Sequence, residues 1–263
     1  MPVSAWQRRI RRAQGLLGEH ACAAEILGFY LHVAKFQESL YGRLETALPS
    51  GQPSFDRELD AGEISELLPS LEAFLGLVKA KGPTPLAELT DALGGRGRDF
   101  LAQLLATAWI TPASDAAGFL ALACLQPYAE LLRSRAKAVP AQLSYALCPF
   151  CRRKPGVGVL RQLGDGGAKS LVCSFCSAEW EFRRIVCPGC GEEQERRLAV
   201  FTASEFDLMR VECCDTCKTY LKTVDLTKDG RAEPVVDEIA SASLDLWARE
   251  RGYVKLQDNL MGL

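Results

Sequence analysis

The sequence has few of the residues from which most active sites are built. It contains two histidines and three methionines among 263 residues. His20 and His32 lie in a region of helical pattern, with no serine or cysteine motif beside them. The glycines at positions 94, 95 and 97 follow a predicted helix rather than a strand, so they do not form a phosphate loop or dinucleotide fingerprint. We therefore expect no catalytic residues, no small-molecule substrate and no enzyme activity.

Long apolar runs and an excess of charge of one sign are also missing. Apolar stretches such as residues 116–125 end well before the roughly 18 to 20 residues that a bilayer requires, so we expect no membrane insertion. The net charge of −2 provides no general attraction to nucleic acid. The arginines at positions 8, 9, 11 and 12 are followed by polar residues rather than by the apolar part of an export signal. These features together predict a cytoplasmic protein.

The first half of the chain has the apolar spacing of α-helices. Apolar residues recur at steps of three and four between positions 21 and 48, and further helical patterns cover 64–78, 86–93, 98–109 and 114–135. The proline-containing segment 49–53 is expected to end the first long helix, and Ser114 is expected to cap the last one. Pro69 is predicted to break or bend its helix, and Pro127 to kink its own.

From about residue 140 the pattern changes to short β-type runs. These cover residues 157–163, 170–172, 180–186, 198–202, 208–211 and 220–226, with a hairpin turn expected at 164–167. A helix is predicted from near Asp237 to Gly252. The predicted fold is multidomain α+β, with an all-α domain over residues 1–143. Two rubredoxin-like or zinc-ribbon metal modules follow, at 144–183 and at 184–263, the second with the C-terminal helix.

The chain has eleven cysteines, and nine of them lie between positions 148 and 217. Eight form four Cys-x-x-Cys pairs: Cys148 and Cys151, Cys173 and Cys176, Cys187 and Cys190, Cys214 and Cys217. A two-residue spacer makes a tight turn that directs both sulfurs at one centre, and a closed tetrahedral site needs four sulfurs. The four pairs therefore predict two four-cysteine metal sites.

The gaps between the pairs indicate which pairs share a site. Gaps of 21 and 23 residues follow the first and third pairs, which suits a β-hairpin, whereas ten residues separate the second pair from the third. This favours one site of Cys148, Cys151, Cys173 and Cys176, and another of Cys187, Cys190, Cys214 and Cys217. A cross-braced arrangement, which joins the first pair to the third and the second to the fourth, stays open as an alternative.

Four thiolates accept zinc or iron, and the spacing does not discriminate between the two metals. Such a site leaves no open position for chemistry at the ion. Four pairs in turn-rich β sequence are also unlike a thioredoxin-type redox motif, which uses one pair at a helix start. Cys22 and Cys124 are expected to be packed, buried thiols. Cys213 is either a spare buried thiol, which we favour, or an alternative ligand to Cys217.

The region 146–263 carries motifs that resemble those of the formate dehydrogenase accessory protein FdhE family. The motifs are Cys148-Pro-Phe-Cys151 with Pro155, Cys173-Ser-Phe-Cys176 with Glu179-Trp180, Arg184-Ile-Val-Cys187, Cys190-Gly191, Glu212 to Lys222 with Asp225, Val236 to Ile239, Leu244-Asp245 and Gly252-Tyr253. Three positions depart from the family pattern. Arg152 replaces a usual glycine, Cys213 stands where cysteine is unusual, and Glu238 replaces a common aspartate.

The resemblance implies a helical domain followed by two rubredoxin-like modules that carry iron. It also implies a cytoplasmic, chaperone-like protein that assists maturation of respiratory formate dehydrogenase by binding its catalytic subunit before export. Trp180, Arg184, Tyr220 and Lys222 match family motifs without being ligands, so they are candidates for partner binding. Their alternative roles are to fill small cores or to balance thiolate charge.

Two other functions are compatible with ribbon-like cysteine spacing. A zinc-ribbon nucleic-acid-binding protein is the alternative, but the near-neutral charge predicts no nucleic-acid partner. An electron carrier would need iron at one of the sites.

Overall fold

The computed structural model describes residues 4–48, 54–111, 115–137, 146–163 and 166–263. The chain forms two compact units. One contains the segment up to Leu27 together with the C-terminal half of the chain, and the other begins at Gly28 and ends at Lys137. Ser114, the expected cap, and the segment 49–53 lie outside the described residues. Within the described part of the chain, every helix is too short or too polar to cross a lipid bilayer.

The unit over residues 28–137 is helical, as predicted. Its helices are α2 (Ala24–Ala47, which starts in the other unit), α3 (Ala61–Lys81), α4 (Thr84–Gly94), α5 (Arg98–Ile110) and α6 (Ala116–Arg135). The core contains Tyr30, Leu71, Phe74 and Tyr128, all with almost no exposed surface. Pro69 does not break its helix, because α3 continues through it, and α6 likewise continues through Pro127; the predicted bend at Pro69 and kink at Pro127 stay predictions. Buried apolar residues on both sides of each proline keep the helix packed.

A capping box starts α3. The Asp60 side chain accepts from the Glu63 amide at 2.9 Å, and the Glu63 carboxylate accepts from the Asp60 amide at 2.8 Å. Glu63 also pairs with the Arg57 guanidinium and accepts from the Tyr128 hydroxyl of α6. One half-buried carboxylate therefore fixes the start of α3 against a second helix.

The other unit contains one seven-stranded sheet with helices around it. Its elements are α1 (Ala5–Leu16), a 3-10 turn (Ala21–Ala23), β1 (Pro155–Leu163), β2 (Gly166–Cys173), β3 (Glu179–Phe182), β4 (Leu198–Thr202), β5 (Met209–Cys214), β6 (Thr219–Asp225), α7 (Pro234–Ala240), α8 (Ala242–Glu250) and β7 (Val254–Lys255). The strand order is β3-β2-β1-β6-β5-β4, with β7 beside β6. The sheet thus contains two antiparallel three-stranded modules, one of β1 to β3 and one of β4 to β6. The predicted fold class, a helical N-terminal region followed by two sheet-containing modules, is confirmed.

A parallel pairing of β1 with β6 joins the two modules into one sheet. Gly158 of β1 lies opposite Thr223 of β6, and a Cβ at position 158 would collide with the Thr223 hydroxyl. The absence of a side chain at Gly158 therefore allows the two strands to approach. The two modules consequently share backbone hydrogen bonds rather than being separate ribbons.

Helices from both ends of the chain pack together in this unit. Arg8 of α1 donates to Glu233 at 2.7 Å, and Arg12 forms a bidentate pair with Asp237 of α7. The single predicted C-terminal helix is found as two helices that meet at Ser241. The Ser241 hydroxyl donates to the carbonyls of Asp237 and Glu238, which places a side-chain partner at the end of α7.

Candidate metal centres

The structure gathers the eight paired cysteines into two clusters. The first cluster contains Cys148, Cys151, Cys173 and Cys176, and the second contains Cys187, Cys190, Cys214 and Cys217. Within each cluster the four sulfurs lie within 4.8 Å of one another. These are the groupings that the hairpin-length gaps predicted, and the cross-braced alternative does not occur.

Antiparallel strands bring distant pairs together in each cluster. The Cys148–Cys151 turn precedes β1, whereas Cys173 ends β2 and Cys176 lies in the turn that leads to β3. The second module repeats the plan, because Cys214 ends β5 and Cys217 lies in the turn before β6. The antiparallel pairing of β1 with β2 in the first module, and of β4 with β5 in the second, thus returns the chain to the first cysteine turn.

The four turns share one backbone conformation. The residue after the second cysteine of each pair has a positive φ: 60° at Arg152, 52° at Ser177, 79° at Gly191 and 56° at Lys218. In three of the four turns, the amide of this positive-φ residue donates to the carbonyl of the first cysteine of the pair, at 2.8–3.0 Å. Arg152 therefore adopts the same turn as Gly191, although a left-handed conformation is less favourable for arginine than for glycine.

The sulfur positions fit a tetrahedral ion. Four thiolates at about 2.3 Å from zinc or iron would lie about 3.8 Å from one another. In the second cluster, Cys187 and Cys217 are 3.7 Å apart, as are Cys190 and Cys214. In the first cluster the corresponding contacts measure 3.5 and 3.3 Å. All eleven cysteines are free thiols, so neither cluster is a pair of disulfides. Each cluster could hold one ion.

The thiols of the first cluster interact strongly with one another. Hydrogen bonds from Cys151, Cys173 and Cys176 lower the pKa of Cys148. Burial raises the pKa of Cys173, and the hydrogen bond with Cys148 raises that of Cys176. These shifts favour a thiolate at Cys148 and protonated thiols at Cys173 and Cys176. A divalent cation would displace those protons, so its binding releases protons.

The second cluster is less buried and contains one easily ionised thiol. Burial raises the pKa of Cys187, and raises that of Cys190 to about 12. Burial also disfavours the Cys217 thiolate, but the Thr219 hydroxyl at 3.0 Å and the Thr219 amide outweigh it, and its pKa falls to about 7. Cys217 is therefore ionised more readily than Cys187 or Cys190 before an ion binds here.

The three unpaired cysteines lie outside both clusters. Cys213 is 2% exposed and belongs to the apolar core beside β5, and burial raises the pKa of its thiol to about 12. Cys124 is fully buried in α6, as expected. The expectation that Cys22 is buried is wrong, because it is exposed in the 3-10 turn before α2.

The four residues predicted for partner binding occupy different environments. Arg184 is exposed, whereas Trp180, Tyr220 and Lys222 are 9%, 1% and 0% exposed. Tyr220 and Lys222 therefore contribute inside the fold rather than at its surface. The Lys222 ammonium lies 3.0 Å from Glu238 and also pairs with Asp245, which accepts from the Tyr220 hydroxyl.

Lys255 of β7 completes a buried ion cluster with Lys222, Glu238 and Asp245. Burial disfavours the Glu238 carboxylate, but the two lysines outweigh it and lower its pKa to about 2. Sequence reasoning missed this cluster. Its only local signal is a lysine at a β6 position flanked by buried residues, together with acidic residues on the inner faces of α7 and α8.

A cavity of about 430 Å³ lies between the segment that links the modules and strands β4 to β6. Its lining includes Arg184, Ile185, Val200 and Leu221. Lys169 of β2 and Glu212 of β5 also line it and form an ion pair in which the lysine is buried and the glutamate is partly buried. This cavity shares Cys187 and Cys214 with the second cluster.

Two family models match the metal-bearing half of the chain. "FdhE, central domain" matches residues 147–184, and "FdhE, C-terminal domain" matches residues 185–261. The first match covers the first cluster, and the second match covers the second cluster.

Curated proteins with similar sequences extend over the helical half as well. A "Protein FdhE homolog" of Aquifex aeolicus is 29% identical over 252 residues, which cover 90% of this chain and 88% of the relative. The homolog of Pseudomonas aeruginosa is 30% identical over 231 residues, which cover 83% of this chain and 74% of the relative. "Protein FdhE" of Escherichia coli is 29% identical over an alignment of 280 residues, which covers 95% of this chain and 86% of the relative.

A solved structure has the same fold. The crystal structure of the FdhE protein from Pseudomonas aeruginosa superposes with a TM-score of 0.68 at 24% identity, over 99% of this chain and 97% of that chain. The fold, the two family models and the long sequence matches agree with the cysteine clusters. The chain belongs to the FdhE family.

Proposed function

We propose that this protein is a chaperone-like accessory protein for the maturation and activation of respiratory formate dehydrogenase. In this proposal it binds the catalytic subunit of that enzyme in the cytoplasm, before export. Membership of the FdhE family is the single observation that carries the proposal. The clusters support a role without catalysis, because four thiolates around one ion leave no position for a substrate.

The metal sites act in this proposal as structural braces for a docking platform. Each small module buries little apolar surface of its own, and bound metal can supply the missing folding free energy. The eight cysteines named above are the proposed ligands of two ions, iron or zinc. Because β1 and β6 pair, bracing one module also restrains the sheet of the other.

Arg184 is the accessible candidate among the four residues proposed for partner contact. It lines the cavity from the segment between the modules, and it is exposed. Its neighbour Arg183 is also exposed, but Arg183 pairs with the Glu193 carboxylate. The two adjacent arginines therefore offer a matched comparison of surface cations.

The test is co-purification of the tagged full-length protein with the catalytic subunit of formate dehydrogenase from cells of the source organism. The proposal expects a stable complex, and low formate dehydrogenase activity in a deletion strain. It expects Arg184→Glu to weaken the complex and Arg183→Glu to leave it intact. No complex together with normal enzyme activity in the deletion strain would refute the function. Equal effects of the two variants would refute the role of Arg184 alone.

A nucleic-acid-binding ribbon is not favoured. The net charge is −2, and the exposed Arg183 near the second cluster pairs with the Glu193 carboxylate. Salt-sensitive binding to DNA or RNA would be the evidence for that alternative.

A further inference from the structure

The two cysteine clusters differ in how far solvent reaches them. In the first cluster Cys148, Cys173 and Cys176 are buried, and Cys151 is partly buried. In the second cluster Cys187 and Cys214 are buried, Cys217 is partly buried and Cys190 is exposed. Because Cys151 and Cys190 both follow the first cysteine of their module by three positions, their turns are equivalent. The difference must therefore arise from what surrounds the turns.

A side chain covers the first cluster. Arg153 is partly buried, and its guanidinium lies 3.8 Å from the centre of the Phe175 ring. Phe175 is itself 3% exposed and lies between Cys173 and Cys176. Burial lowers the pKa of Arg153, and negative charge on Cys151, Cys173 and Cys176 acts against that shift, so the guanidinium lies close to these sulfurs. Arg153 thus covers part of the first cluster, and its charge would compensate part of the negative charge of the ion-bound thiolates.

The corresponding residues surround the second cluster differently. Gly191 follows Cys190, and a Cβ placed on Gly191 would have no atom within 4 Å. Glu192, the counterpart of Arg153, brings a carboxylate rather than a cation to this cluster. It accepts from two backbone amides and, at 2.5 Å, from the hydroxyl of Thr216, which lies between Cys214 and Cys217. The nearby cation Lys218 is engaged by Asp215 at 2.7 Å. Negative charge around the second cluster is therefore less compensated than around the first.

We propose that Cys190 is the exposed ligand through which the second cluster takes up and releases a thiophilic divalent cation. The first cluster, covered by Arg153, keeps its ion. The two clusters thus divide into one exchangeable and one permanent site. This inference concerns the thiols of the chain itself and does not depend on the proposed partner.

The exchange step is balanced without an oxidant or reductant. The metal–sulfur bond of Cys190 breaks, a proton from water adds to the sulfur, and a chelator occupies the vacated position on the ion. With a maleimide, the Cys190 sulfur adds to the carbon–carbon double bond, and the adjacent carbon takes a proton from water. Either event leaves the ion with three protein ligands and speeds its departure.

The test uses full-length protein loaded with two zinc ions. N-ethylmaleimide is added in the presence of a chromogenic zinc chelator, because a neutral reagent is not steered by the acidic surroundings. We expect one ion per chain to leave roughly ten times faster than the other, or more, since exposure governs thiol reactivity. Peptide mapping at the end of the fast phase should find Cys190 alkylated before the other seven cluster cysteines, whereas the exposed Cys22 lies outside both clusters and reports nothing about the ions. Equal rates for both ions, or alkylation of Cys151 first, would overturn the proposal.

Matched variants identify the site responsible for each phase. Cys190→Ser should abolish the fast phase and retain one slowly released ion, whereas Cys151→Ser should abolish the slow phase and retain the fast one. The reverse assignment would contradict the proposal. Arg153→Ala keeps all eight ligands and should accelerate the slow phase alone, and an unchanged slow phase would refute the covering role. The wild-type measurement decides the main question even if a variant fails to fold.

Discussion

Two adjacent cysteines in β5 show how the alternation of a strand separates ligand from core. Cys213 packs in the apolar core, and Cys214 joins the second cluster. Successive side chains of a strand point to opposite faces, so only one of the two can reach the ion. The sequence had left Cys213 open as an alternative ligand, and the geometry places it outside both clusters.

This separation predicts the metal content of two variants. Cys213→Ser should retain two ions per chain and lose about 1 to 2 kcal/mol of stability, because a hydroxyl replaces a thiol in an apolar core. Cys214→Ser should retain one ion. Native mass spectrometry of anaerobically loaded protein counts the ions directly. Loss of an ion in Cys213→Ser would show that Cys213 is a ligand.

The buried ion cluster predicts a large effect of one lysine. In the Lys222→Met variant, the buried carboxylates of Glu238 and Asp245 would share a single lysine of the cluster, Lys255. We therefore expect the free energy of unfolding to fall by about 3 to 5 kcal/mol. Urea denaturation of the metal-loaded protein measures the change. The same substitution at Lys218, whose pair with Asp215 is exposed, should cost less than about 1 kcal/mol. Similar losses in the two variants would contradict this account.

At the scale of elements, the capping box of α3 makes that helix sensitive to acid. Burial disfavours the Glu63 carboxylate, but the bonds from Arg57 and Tyr128 outweigh it, so the pKa of Glu63 is lowered. Because the pKa of Glu63 is lower in the folded chain than in the unfolded chain, its ionised carboxylate stabilises the fold. This stabilisation is fully present above the unfolded pKa of about 4.5 and is lost as the pH falls through the folded pKa. The start of α3 should therefore loosen under acid conditions.

Hydrogen exchange of the α3 amides tests this dependence. Glu63→Gln should reduce the hydrogen-exchange protection of these amides at pH 7 by about 1 to 3 kcal/mol. Acidification should then reduce their protection by less than it does in the wild-type protein. Glu66→Gln changes an exposed carboxylate in the same helix, so it serves as the control. If both variants kept the wild-type acid profile, Glu63 would not be the responsible group.

Local patterns predicted most elements and failed where distant contacts decide. Both ends of β4 were predicted by the run 198–202, because a short run of apolar and β-forming residues between two turn segments is a local signal. The division between α7 and α8 was not predictable in this way. There the Lys222 ammonium, from a strand about 20 residues earlier, donates to the carbonyls of Glu238 and Ser241. No spacing rule reports that contact.

At the scale of the whole molecule, the cysteine spacing predicted both clusters, but nothing in it predicted the shared sheet. The parallel pairing of β1 with β6 depends on Gly158 and Thr223, which are far apart in sequence. The packing of α1 on α7 depends on Arg12 and Asp237, which are separated by 225 positions. Contacts of this kind leave no periodic signal in either segment. The C-terminal motifs, in contrast, were specific enough to indicate the family.

Removal of metal should affect the two compact units differently. Apparent binding free energies of structural zinc sites reach about 10 to 16 kcal/mol, so an ion-free sheet unit should lose most of its stability. We expect chelation to abolish the hydrogen-exchange protection of β1, β2, β5 and β6. Amides of α3 and α6 should retain their protection, because all eight cluster cysteines lie in the other unit. Equal loss of protection in both units would contradict this expectation.

The most direct test of the two metal sites is native mass spectrometry of protein that is purified without oxygen and without added metal. The structure predicts a mass that exceeds that of the polypeptide by two ions of iron or zinc, with eight thiol protons displaced. Unfolding in acid should then release both ions and restore the mass of the fully reduced chain. An ion-free mass that is lowered by two hydrogens for each pair of cluster cysteines would reveal disulfides and contradict the account.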